Sequence, residues 1–112
     1  MLEIHQDFLG KFETIAIPKL ELFGFKVKIL EVCGEANSTR ILLSKDSNNL
    51  LIFFATNHLD YIDGVMVCKT SNENINWNSI LLPQKGKQRY AYMGDFVQSD
   101  ISRLVNDIIA IS

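Results

Sequence analysis

Apolar and polar positions alternate along this chain with two different periods, and each period predicts a different element. Ile4, Phe8, Phe12 and Ile15 recur at spacings of four, four and three, with Leu9 beside them. That spacing puts them on one face of a helix over 2–13. Gly10 weakens this helix by roughly 1 kcal/mol against alanine. Pro18 is expected to end the segment, because the residue before a proline is pushed out of the α region. From Glu21 to Val32 the period shortens, and Phe23, Phe25, Val27 and Ile29 alternate with Gly24, Lys26 and Lys28. This is a strand with one face on a core and one in water.

Thr39–Lys45 reads as the returning strand after a turn over Gly34–Ser38, and Asp46–Asn49 is a run of turn-forming residues. The strand is therefore expected to pair antiparallel with Leu50–Ala55, the longest uninterrupted apolar run in the protein. Those six residues are far short of the ~20 that a membrane-spanning helix needs, and they fit a central strand buried on both faces. A polar, acidic connection, His58–Gly64, leads to a second apolar run, Val65–Cys68. Asp63-Gly64 is a hairpin dipeptide that either joins two tight strands or ends a longer loop. Thr70–Asn76 is a further polar loop, Trp77–Leu82 a strand stopped by Pro83, and Gln84–Gln88 a glycine-centred turn before Arg89–Met93.

Asp95 and Gln98 form a capping-box pair ahead of a closing helix. Val97, Ile101, Leu104, Val105 and Ile108 mark its apolar face. The expected fold is thus α+β: an N-terminal helix, a mainly antiparallel sheet of about five or six strands, and a C-terminal amphipathic helix. If the two helices share one face of the sheet, the other face is open to water or a partner. Leu51, Phe53, Phe54, Val65, Val67, Ile101, Leu104 and Ile108 are the expected core.

A length of 112 residues fits one domain, and 47% hydrophobic with 21% charged residues excludes a disordered chain. The formal charge of −2 argues against a general nucleic-acid binder. MLEIHQDF has no basic stretch followed by an apolar one, and no segment is long and apolar enough to span a membrane, so a cytoplasmic protein is expected. Cys33 and Cys68 lie in apolar, strand-like settings and are expected to be reduced and poorly reactive.

Candidate chemistry is sparse. His58, Asp60 and Asp63 are the one His/carboxylate cluster close in sequence, but a zinc site wants three or four ligands, and a solvated turn fits better. No nucleophile elbow or phosphate loop occurs, so neither a catalytic residue, a metal nor another cofactor is assigned. Lys85, Lys87 and Arg89 with Tyr90 and Tyr92 form a basic-aromatic cluster, which reads as a solvated hairpin tip rather than a nucleic-acid site. Trp77 is either a half-buried strand anchor or an exposed contact residue, and its alternation with Asn76 and Asn78 favours the core. Asp60, Tyr61, Asp63 and Glu73 lie on the loops flanking Val65–Cys68 and are the candidate partner-binding residues, with Tyr61 as anchor and the acids around it.

In overall character, a small acidic α+β domain rich in Asn and Ile without a catalytic signature, the chain resembles bacterial immunity proteins of contact-dependent inhibition and related polymorphic toxin systems. The resemblance rests on no motif and transfers no residue. It implies a tight inhibitory complex with a cognate toxin domain, frequently a basic nuclease. A small chaperone or adaptor for a secreted protein and a small enzyme or ligand-binding domain are the competing classes. The first would show broad apolar grooves, and the second a deep pocket with perturbed ionisable groups.

Overall fold

A computed structural model describes residues 3–32, 38–56, 62–82 and 98–112. It is α+β, as the patterning predicts. Helix α1 (Glu3–Lys11) passes through a π turn (Phe12–Ala16) into α2 (Ile17–Leu22). Among the described residues five strands follow, β1 (Lys26–Glu31), β2 (Ser38–Lys45), β3 (Asn48–Thr56), β4 (Ile62–Lys69) and β5 (Ile80–Leu82), and the last element is α3 (Gln98–Ile111), while the strand expected over 89–93 lies outside them. The sheet is an antiparallel meander in chain order, β1-β2-β3-β4-β5. Among the described residues no helix is long and apolar enough to cross a membrane.

The first helical segment continues through Pro18 instead of stopping at it. Residues four apart on an α-helix drift by about 40° per step. The π turn, with Ile17 N–H donating to the Phe12 carbonyl, takes up that drift. Phe8, Phe12, Ala16 and Leu20 consequently all point into the core and are fully buried, with the two phenyl rings stacked at 6.0 Å. Pro18 sits in the first turn of α2, directly after the π turn, and offers no N–H to the carbonyls of that turn. The carbonyl its ring would strike in a regular helix, that of Thr14, lies inside the widened turn.

The strand expected from Glu21 begins only at Lys26. Phe25 N–H donates to the Leu20 carbonyl and Gly24 N–H to that of Glu21, at 3.1 and 3.0 Å, while Gly24 takes φ +94°. This is a Schellman close, which needs the left-handed conformation glycine adopts freely. Phe23 is left exposed, and Phe25 is the first residue to reach the core.

Two further expectations are corrected. The β2–β3 turn is only Asp46-Ser47, since Lys45 already faces Asn48 and Asn49 belongs to β3. Asp63-Gly64 is neither a hairpin turn nor a loop end: both lie inside β4, where Gly64 faces Ala55 and Ile62 faces Thr56. The register shift leaves Asp63 as the extra residue of a β-bulge.

The helices share one sheet face. Ile41, Leu43, Leu50, Ile52, Val65, Val67 and Leu82 meet the helical residues Phe8, Phe12, Leu20, Ile101, Leu104 and Ile108 in one buried cluster. His5 is also fully buried and is tied to Thr39 of β2 by a 2.7 Å hydrogen bond between Nδ1 and Oγ1. The far face carries a second, smaller cluster: Leu51, Phe53 and Cys68, flanked by Leu30, Met66, Ile75 and Ile80. β3 is therefore buried on both sides, as its unbroken apolar run predicts. The expected core residues are buried, except that the side chain of Phe54 lies outside the described set.

Candidate protein-interaction surface

The far face is covered by the segment between β4 and β5, residues 70–79, and this segment is wired to the sheet and to itself. Thr70, nearly buried, donates its N–H to the Asn49 carbonyl at 3.1 Å and its hydroxyl to the Asn74 carbonyl at 2.8 Å. The same hydroxyl accepts from Asn72 N–H at 3.4 Å, and Asn72 Oδ1 accepts from Asn74 N–H at 3.3 Å. Asn76 N–H points at Cys68 Sγ, 3.5 Å away beneath the loop. Its carboxamide then accepts from Asn78 N–H at 3.1 Å and donates to Ser79 Oγ at 3.1 Å. Such local side-chain bonds are the standard use of asparagine in turns. Here they fix the loop's shape in advance.

Trp77 rides on this scaffold. It opens a 3-10 turn, Trp77–Ser79, that Asn76 caps, and only Ile80–Leu82 is strand. The expectation that Trp77 packs in the core is therefore corrected: the side chain is 65% exposed. Its ring makes a T-shaped contact with that of Phe53 at 5.4 Å and 80°, so it borders the small far-face cluster while most of the side chain remains in solvent. The local residues held the signal, because Asn on both sides of Trp77 and Ser after them is capping chemistry rather than strand alternation.

A shallow cleft of about 300 Å³ runs beside the indole, lined chiefly by Ser71, Asn72, Asn74, Asn76, Trp77 and Asn78. A second of about 310 Å³ lies on the other side of Asn72 and Asn74, bounded by Leu30, Arg40 and Glu73. Glu73 is exposed, takes φ +65°, and sets its carboxylate 3.7 Å from Lys28 Nζ on β1. Glu73 and Lys28 thus form a solvent-exposed ion pair at the edge of this cleft. Asp63 and Glu73 sit at opposite ends of β4, a strand of eight residues that spans roughly 25 Å. Asp60 and Tyr61 lie outside the described residues, as do His58, Cys33 and the Lys85–Tyr92 cluster.

The chain matches no family model, no curated protein and no solved structure. Cys68, the described thiol, is free and buried, and desolvation raises its pKa above the usual 9.0 against a weaker opposing pull from Asn76 N–H. It is a packing residue beneath the loop, not a nucleophile at the surface. No group of three or more His, Cys, Asp or Glu side chains gathers into a metal site among the described residues.

Proposed function

We propose that the protein acts in the cytoplasm by binding and occluding a protein partner, with the 70–79 loop over the far face of the sheet as the contact surface. The observation that carries this reading is Trp77, a large apolar side chain held 65% exposed on a hydrogen-bonded scaffold. An exposed indole is costly to leave in water and is the residue type most enriched at the energetic centres of interfaces. The resemblance to toxin-immunity proteins makes a cognate toxin domain the leading partner.

The test is association with the product of the gene immediately upstream, followed by calorimetry and by inhibition of that product's activity. Trp77→Ala is expected to weaken binding by about 2 kcal/mol or more, roughly 30-fold, while leaving the far-ultraviolet circular dichroism unchanged. Wild-type affinity in Trp77→Ala would remove this surface from the contact. Substrate turnover by the chain alone would replace the binding reading with an enzymatic one.

A further inference from the structure

We infer that the 71–79 loop recognises an uncharged, extended segment of its protein partner, reading main-chain amides with asparagine carboxamides while an apolar side chain seats on Trp77. The inference rests on the occlusion reading and names what the partner presents to this surface.

Composition is the first support. Between Ser71 and Ser79, six of nine residues are Asn or Ser, and the others are Glu73, Ile75 and Trp77. This is the chemistry of antibody binding loops, in which Asn and Ser supply adaptable hydrogen bonds and an aromatic supplies rigid contact area. A carboxamide carries the same donor and acceptor as a peptide group, so it matches main chain in either orientation.

Charge is the second support. The six residues that chiefly line the cleft beside the indole are all uncharged, and the one acid on the loop is already set against Lys28. A strongly charged partner segment would lose hydration in this cleft without meeting a counter-charge, whereas neutral amides exchange their water for hydrogen bonds to the carboxamides. Preorganisation is the third. Asn72 and Asn76 hold the loop's shape through their side chains, whereas the exposed carboxamides of Asn74 and Asn78 take no part in those bonds. A loop already ordered gives up little conformational freedom on binding.

The experiment uses the full chain and the upstream gene product, with affinity measured by calorimetry for every variant and the indole environment followed through Trp77, the only tryptophan in the sequence, wherever it is retained. Complex formation is expected to shift the indole emission to shorter wavelength. Asn74→Ala and Asn78→Ala are each expected to weaken binding about 5- to 10-fold, as for the loss of one interfacial hydrogen bond. Glu73→Gln should stay within about twofold, and affinity should change less than about threefold between 50 and 500 mM salt, because exposed charge pairs are what salt screens. If Trp77→Ala weakens the complex but both Asn variants bind normally and affinity falls steeply with salt, the neutral-segment inference fails and the occlusion reading stands. If Trp77→Ala and the emission are both unaffected, the two fail together. An emission shift produced by maltotriose alone, with none from the protein, would assign the cleft to saccharides and overturn the inference.

Discussion

Leu104→Ala is the substitution that most directly tests how the closing helix is held. Leu104 has no exposed surface and lies in the cluster where α3 meets the π turn, α2 and β5. Truncating it removes buried methyl groups and leaves a cavity that a stacked core such as Phe8–Phe12 collapses into only partly. Substitutions of this kind cost about 2–5 kcal/mol. For 112 residues the unfolding entropy is about 235 cal/mol/K, so each kcal/mol lowers Tm by about 4 °C and the variant should melt about 8–20 °C early. Asn106→Ala, two residues on, is the control: Asn106 is exposed and accepts a hydrogen bond from Lys19 Nζ at 2.8 Å, an interaction that water replaces. It should cost no more than about 0.5 kcal/mol. Both are read by thermal and urea unfolding, with the urea m-value unchanged. Equal midpoints for the two variants would mean that α3 does not dock through Leu104.

Two other expectations follow from buried polar and sulfur groups. Thr39→Val keeps the side chain's shape but deletes the hydroxyl bonded to His5, so it should cost about 1–3 kcal/mol in urea unfolding, and an unchanged midpoint would show that the bond contributes nothing. Cys68 should react slowly with thiol reagents in the native state and rapidly once unfolded. Because folding raises its pKa, its contribution to stability is fully present below the unfolded value of 9.0 and is lost as pH rises towards the folded one. Replacing Cys68 with Ala should flatten that alkaline loss, and an identical pH profile in the variant would refute the assignment.

What the patterning could reveal depended on whether a residue type had one structural use or several. Leu50–Phe53 has no polar alternate position and belongs to a short run flanked by turn-forming residues, which fits a strand buried on both sides, and α3 repeats its apolar face over three turns. Gly24, Asp63 and Gly64 each fit more than one backbone role. Gly24 closes a helix where strand alternation was expected, and Asp63 bulges a strand where a tight turn or the end of a loop was expected. Pro18 misleads for a related reason, since its usual effect is cancelled by a change of helical pitch that propensity does not encode. At the candidate surface, the polar loop carrying Glu73 was legible from its turn residues. Its pairing with Lys28 was not, because that contact depends on a chain excursion over the sheet. Trp77 alternates with Asn76 and Asn78 as a strand residue would, and the signal that outweighs this alternation is the capping chemistry of Asn76, Asn78 and Ser79, which closes a 3-10 turn instead.

The chain-order meander has a kinetic meaning. Every strand pairs with its immediate predecessor, so the sheet can grow hairpin by hairpin without waiting for distant segments to find one another. The costly loop closure is postponed to the helices: α1 and α3 come from opposite ends of the sequence and must converge on one sheet face. A sheet assembled before they arrive shows water the row Ile41, Leu43, Ile52, Val65 and Val67. In any molecule whose sheet forms before the helices dock, that interval is when the chain is most exposed to aggregation.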